Sequence, residues 1–177
     1  MAQTLHTVCE YCENPLGIRT AFPRFSWTMP SGADQTAYQL RIYAEDGALL
    51  HDSGKTESSV STGVTYAGAP LASATRYLYD VTVTLADGSA VTSARGSFET
   101  ALLSQSDWQG QFIAAPMYEK RKSPMFLRQF DASDIQSARV YICGLGYYEL
   151  FINGSRIGES VLEPGWTDYN KRVLYNV

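Results

Sequence analysis

The sequence predicts an all-β protein made of two successive β-sandwich domains, the second of them incomplete. Three observations support this prediction. Only 18% of the residues are charged, and Ser, Thr and Gly are frequent where a helical protein needs Ala, Glu, Lys and Leu. Apolar and polar residues alternate with the two-residue period of half-buried strands, and turn residues recur about every ten positions. The last segment, 172–177, is rich in β-branched and aromatic residues and has no turn after it.

The first domain is predicted over residues 1–104. Alternation is clearest at 36–44 and 76–86, and Asp87–Gly88 then supplies a tight turn from which 90–99 returns as the partner strand. Shorter strands are predicted at residues 5–9, 25–28, 49–51 and 63–66. About seven short strands separated by turns are typical of an immunoglobulin-like or fibronectin type III-like β-sandwich.

The second domain is predicted over residues 105–177. Strands are expected at 112–114, 125–130, 138–143 and 147–152. Asn153–Gly154 should close a hairpin with 155–157. These strands cover about seventy residues, less than a jelly roll usually needs, so we expect the first part of a jelly-roll-like second sandwich. Its unpaired edge and apolar face predict self-association of the isolated chain.

Charge and hydropathy exclude two classes of partner. The formal charge is −4, and the basic run Lys120–Lys122 is short enough to be a solvated loop, so nucleic acid is not expected. No apolar run reaches the roughly 18 residues of a membrane helix.

Residues 1–8 do not resemble a signal peptide. Three cysteines fit a reducing compartment, so we expect a cytoplasmic protein, or an exported one if the N-terminus has been trimmed.

The motifs for metal, cofactor and catalytic chemistry are weak. Cys9–Cys12 has CxxC spacing, but in an extended strand the two thiols would face opposite sides. No glycine-rich phosphate loop or nucleophile motif occurs, so no cofactor and no metal are expected. Glu149, Glu163 and Asp168 lie near aromatic residues, yet their spacing does not single out an acid–base pair. The sequence therefore predicts no catalytic residue.

The aromatic residues near the C-terminus form the one candidate site. Sugars bind by laying their apolar ring faces on Trp and Tyr, and a neighbouring polar group can fix their orientation. The alternative is packing in the core or against another domain. The candidates for carbohydrate or interdomain contact are Tyr147, Tyr148, Trp166, Asp168 and Tyr169.

Several short motifs occur in an order that resembles a known family. The first domain contains Glu13–Ile18 and Pro23–Trp27. The second contains Gly144–Glu149, Ile152–Gly154 and Pro164–Tyr169. In this order they resemble the N-terminal part of bacterial α-L-rhamnosidases, which are multidomain glycoside hydrolases.

The resemblance implies a function for the parent enzyme. Such enzymes carry an (α/α)₆ barrel whose acid and base carboxylates remove terminal α-L-rhamnose with inversion, and no segment here corresponds to that barrel. We therefore expect a non-catalytic accessory region whose partner is the barrel of the parent chain. Two alternatives stay open: a carbohydrate-binding module for rhamnose-containing glycans, and a fibronectin-type spacer or adhesion domain.

Overall fold

The chain folds into two units. The computed structural model describes residues 5–29, 33–116 and 123–177, and these divide into unit 1, Met1–Trp108, and unit 2, Gln109–Val177. The basic run at 120–122 lies outside the described residues. Apart from a 3₁₀ turn at Gln105–Asp107, the regular structure of the described residues is β, which confirms the all-β prediction.

The described residues of unit 1, 5–29 and 33–108, contain nine strands in two antiparallel sheets. They are β1 His6–Cys9, β2 Arg24–Thr28, β3 Gln35–Ala44, β4 Leu49–Asp52, β5 Thr56–Glu57, β6 Val64–Thr65, β7 Arg76–Leu85, β8 Ala90–Thr92 and β9 Gly96–Glu99. The smaller sheet has the order β1-β2-β6. The larger has the order β4-β3-β7-β8, with β5 beside β3 and β9 beside β7. The β3–β7 pair is the central strand pair of the larger sheet, and its register runs from Gln35↔Leu85 to Ala44↔Tyr77.

The core of unit 1 is formed by apolar side chains from both sheets. Tyr79, at the centre of β7, is 1% exposed, and Phe25 of β2 and Phe98 of β9 are equally buried. The ring of Phe25 lies 4.8 Å from that of Tyr79 and 5.7 Å from that of Phe98. Leu40 and Ile42 of β3 and Tyr79, Val81 and Val83 of β7 are buried as the alternation predicts. Tyr43 and Asp80 are buried as well, although they lie on the opposite face.

The hairpin predicted at Asp87–Gly88 is present, with Gly88 at φ +82°. Its return strand, however, is divided into β8 and β9 and is not continuous over 90–99. At the break, the Ser93 hydroxyl accepts the N–H of Val81 at 3.1 Å. The N–H of Ser93 donates to the Val81 carbonyl at 2.8 Å. A side chain thus replaces one backbone acceptor, and the strand shifts its path at this point.

The CxxC segment is not extended, so this part of the sequence interpretation is wrong. Glu10 and Tyr11 have φ values of +47° and +65°, which make a two-residue turn. The N–H of Cys9 donates to the Cys12 carbonyl at 3.0 Å, and the N–H of Cys12 donates to the Cys9 carbonyl at 2.9 Å. The two cysteines therefore face each other across a tight hairpin.

Unit 2 contains little regular structure. Its strands are β10 Leu150–Ile152 and β11 Ser155–Ile157, which form the hairpin predicted at Asn153–Gly154. The strands predicted at 112–114, 125–130 and 138–143 are not formed, although Ile142 and Asn176 make an isolated antiparallel bridge. A strand needs a partner for its backbone groups, and none of the described residues pairs with these segments along their length. Apolar and polar residues alternate in these segments, but the backbone hydrogen bonds of a sheet are not formed there.

Candidate functional site

Two of the five candidate residues come together on unit 2. The rings of Tyr147 and Trp166 are stacked, with their centroids 5.2 Å apart and their planes inclined by 27°. Both side chains reach solvent, since Tyr147 is 54% exposed and Trp166 is 69% exposed. We call this pair the aromatic platform.

Backbone contacts around two turns hold the aromatic platform in place. The N–H of Tyr148 donates to the Glu163 carbonyl at 3.2 Å, which connects the segment before β10 with the turn before Trp166. The side-chain amide of Asn176 donates to the Glu163 carboxylate. A Cβ on Gly144 would lie 2.8 Å from the Gly146 carbonyl oxygen and 2.9 Å from Tyr148 Cδ1, too close for any residue but glycine. The site therefore depends on several contacts between residues 144–148, Glu163 and Asn176, and not on a single motif.

Tyr148 is half-buried, in contrast to the exposed Tyr147 next to it. Burial, followed by the nearby Glu163 carboxylate, raises the pKa of its hydroxyl above the ordinary value of 10.0. The phenol therefore stays neutral at physiological pH. Its ring packs beside Gly144 and so helps to hold the turn at 144–146.

Asp168 and Tyr169 belong to the turn that follows Trp166. The Asp168 carboxylate accepts the N–H of Asn170 at 3.1 Å and lies 3.4 Å from Lys171 Nζ. Its carbonyl accepts the N–H groups of Lys171 at 2.8 Å and Arg172 at 2.9 Å. Asp168 therefore organises this turn. Tyr169 is 38% exposed.

The candidate acids Glu149, Glu163 and Asp168 make local contacts. Glu149 Oε1 lies 3.5 Å from Arg156 Nε, and the Glu163 carboxylate accepts from Asn176. Within residues 5–29, 33–116 and 123–177, no group of three or more His, Cys, Asp or Glu side chains could hold a metal ion. What the aromatic platform can offer chemically is an apolar, π-rich surface, suited to the C–H face of a sugar or to another protein.

Unit 1 contains a shallow cleft that sequence reasoning missed. It has a volume of about 280 Å³ and opens beside Tyr38, His51, Asp52 and Val64. Hydrogen bonds from Gln39 lower the pKa of Asp52 below its ordinary 3.8. The ring of His51 packs edge-on against Tyr66 at 5.0 Å. Asp52 and His51 thus already contact other residues of unit 1. The residues that line the cleft are spread from 38 to 67, so they do not form a sequence motif.

The apolar side chains of unit 2 are exposed along most of its length. In its described part, 109–116 and 123–177, Pro164 is the one residue classed as buried. Large apolar side chains that should form a core are open instead: Ile113 is 70% exposed, Met125 93% and Leu127 84%. Phe130 and Phe151 are 75% and 54% exposed. An apolar surface of this extent is typical of a protein–protein interface.

Family models identify both parts of the chain. Residues 5–104 match the family described as Rha78A-like, N-terminal immunoglobulin domain. The chain belongs to this family. Residues 133–177 match a second family, described as alpha-L-rhamnosidase N-terminal domain. These matches confirm the immunoglobulin-like sandwich and the resemblance to α-L-rhamnosidases.

Individual relatives agree with the family models. An alpha-L-rhamnosidase of Formosa agariphila is 34% identical over 94% of this chain and 20% of the relative. One from Streptomyces avermitilis is 44% identical over 60% of this chain and 11% of the relative. The solved α-L-rhamnosidase structure from Dictyoglumus thermophilum matches with a TM-score of 0.84 and 35% identity, over 97% of this chain and 22% of that one.

The chain thus spans about a fifth of the length of the curated relatives it matches. It corresponds to the N-terminal, non-catalytic part of α-L-rhamnosidases. Members of the group carry this region as domains of a much longer chain.

No helix in the part of the chain that the structure describes has the length and apolar character to cross a membrane.

Proposed function

We propose that this chain is the accessory region of an α-L-rhamnosidase-like glycoside hydrolase, docked on a catalytic barrel that removes terminal α-L-rhamnose with inversion. The observation that carries the proposal is the exposed apolar surface of unit 2. Side chains as apolar as Met125 and Leu127 are 93% and 84% exposed, and covering them would remove a large unfavourable contact with water. In the relatives this region is about a fifth of the chain. We therefore take the partner to be the rest of such a chain, which includes the catalytic barrel.

The docking proposal is tested by mixing this chain with the remainder of the Dictyoglumus thermophilum enzyme, produced without its matching region. We expect a complex in analytical ultracentrifugation. Leu127→Asp should weaken the complex at least tenfold, because a buried carboxylate would replace an apolar contact. Leu49→Asp is the matched control, since Leu49 is 54% exposed on unit 1, and it should leave binding unchanged.

Two results would contradict the docking proposal. One is turnover of an aryl α-L-rhamnoside by the pure chain alone, which would make the chain itself an enzyme. The other is the absence of a complex while Leu127→Asp and wild type behave alike. Without the partner we expect the same surface to drive self-association, visible as a concentration-dependent mass that Leu127→Asp lowers.

A second candidate function is supported by the aromatic platform. Two stacked rings that are 54% and 69% exposed are the arrangement that carbohydrate-binding surfaces use. We propose that rhamnose-containing glycans lie on the outer face of the Tyr147–Trp166 pair. In this proposal Tyr148 and Asp168 hold the surrounding turns.

Calorimetry with L-rhamnose and an aryl α-L-rhamnoside tests the platform. Trp166→Ala should abolish the heat of binding and Tyr147→Ala should weaken it at least fivefold. Phe151→Ala is the control, since Phe151 is equally open at 54% exposure but lies on the β10–β11 hairpin. Equal binding by wild type and Trp166→Ala, or no binding by wild type, would refute the sugar-binding role and leave docking unaffected.

A further inference from the structure

The Cys9–Cys12 hairpin has no part in docking or sugar binding, yet its geometry is tightly fixed. Two consecutive non-glycine residues, Glu10 and Tyr11, have positive φ values of +47° and +65°. Such conformations cost about 1–2 kcal/mol per residue and persist where neighbouring contacts enforce them. The surroundings of this turn must therefore supply that energy.

Arg24, on the adjacent strand β2, holds both turn residues. Its guanidinium donates to the Glu10 carboxylate, with NH2 to Oε2 at 2.8 Å and Nε to Oε1 at 3.2 Å. Its backbone N–H also donates to Glu10 Oε1 at 2.7 Å. The same guanidinium lies 5.1 Å from the centroid of the Tyr11 ring. One side chain thus clamps the turn through an ion pair and a cation–π contact.

The clamp holds the two cysteines at the backbone separation that a disulfide needs. Cys9 and Cys12 exchange both backbone hydrogen bonds, and Cα atoms in such a pair are about 5.5 Å apart. Disulfides span about 4.4–6.8 Å between Cα atoms. Opposed residues in a hairpin also share one face of the ribbon. Cys12 is exposed and Cys9 is buried, and both are free thiols here.

We infer that Cys9 and Cys12 form a reversible disulfide when the chain meets a low-molecular-weight disulfide such as oxidised glutathione. The exposed Cys12 thiolate attacks one glutathione sulfur, and the first glutathione thiolate leaves. The Cys9 thiolate then attacks the Cys12 sulfur, and the second glutathione thiolate leaves. The two cysteine thiols are oxidised to one disulfide, two glutathiones are formed by reduction, and each cysteine proton passes to solvent or to a released thiolate.

The second step should limit the rate. Burial is the main reason that the pKa of the Cys9 thiol lies far above its ordinary value of 9.0. Since the thiolate is the nucleophile, closure of the disulfide should accelerate as the pH rises, while glutathione addition at the exposed Cys12 precedes it.

Glutathione redox titration of the intact chain tests this inference, with Cys143→Ser in every variant to remove the third thiol. Mass spectrometry should show the tryptic peptide that ends at Arg19 losing two hydrogen atoms. The equilibrium constant for disulfide formation should be at least tenfold larger in the folded chain than in urea. Cys12→Ser should give neither the disulfide nor the glutathione adduct.

Arg24→Met removes the clamp and should reduce the folded-state advantage at least threefold. Lys55→Met is the matched control, because Lys55 forms an exposed ion pair with Glu57 at 2.8 Å elsewhere in unit 1, and it should change nothing. A stable glutathione adduct on Cys12 that never closes would overturn the inference. So would equal constants in the folded and urea-unfolded chains, since the hairpin would then contribute nothing.

Discussion

Gln35→Leu tests how the two sheets of unit 1 are tied together. The indole Nε1 of Trp27 donates to Gln35 Oε1 at 2.8 Å. The Gln35 amide in turn donates to the carbonyls of Ser58 at 2.8 Å and Val60 at 3.0 Å. Trp27 is 4% exposed and Gln35 is 9% exposed, so water cannot easily replace these bonds. We predict that leucine, of similar volume, destabilises the unit.

The expected loss follows from the groups left without partners. A buried indole N–H without an acceptor costs about 1–3 kcal/mol. The two carbonyls belong to a loop where Val60 is 53% exposed, so water can reach them and their loss adds at most about 1 kcal/mol. The sum is about 1–4 kcal/mol. With a urea m-value of about 1.5 kcal/mol/M, the midpoint should fall by about 0.7–2.7 M.

Urea unfolding followed by far-UV circular dichroism measures this loss. Adding Trp27→Phe to Gln35→Leu removes the orphaned N–H and should recover about 1 kcal/mol relative to the sum of the single variants. Gln39→Leu is the control: Gln39 donates to the exposed Asp52 at 2.7 Å, so the change should stay within about 0.5 kcal/mol. A Gln35→Leu midpoint equal to wild type, or no recovery with Trp27→Phe, would refute the reasoning.

Three further predictions concern unit 1. Phe25→Ala should cost about 3–5 kcal/mol in urea unfolding, because it empties a fully buried ring site. Gly96→Ala should cost about 1–3 kcal/mol, because its Cβ would lie 2.5 Å from Tyr79 Cε1; Gly88→Ala, in open space, tests positive φ alone. Hydrogen bonds from Arg24 lower the pKa of Glu10 below its ordinary 4.5. The stabilisation from this pair is therefore fully present above pH 4.5 and is lost as the pH falls through the lowered pKa of the folded state. Arg24→Met should make the urea midpoint less dependent on pH in this acidic range.

Much of unit 1 follows from local sequence, because its strands bury one face against the other sheet. The alternation over 36–44 and 76–86 predicts β3 and β7 to within one residue at each end. The positions that local reasoning missed depend on contacts between distant residues. The Ser93 hydroxyl divides the last strand by bonding to Val81, and the Cys9–Cys12 turn depends on Arg24, which lies on another strand.

The candidate site could be predicted in composition but not in arrangement. Aromatic residues near the C-terminus point to a platform, and Tyr147 and Trp166 form it. The sequence does not tell Tyr147 from Tyr148, although the first is 54% exposed and the second supports a turn. That difference is set by the Tyr148–Glu163 backbone hydrogen bond, a contact between residues far apart in the sequence.

Unit 2 shows that an alternating pattern does not by itself make a strand. The alternation at 138–143 gives Ala138, Val140 and Ile142 one face of a predicted strand. In the described part of unit 2 no second sheet covers that face, and Val140 is 37% exposed. The relatives keep this region within chains about five times as long. Strand formation at 138–143 should therefore accompany docking, and amide exchange protection that appears there only in the complex would link the two.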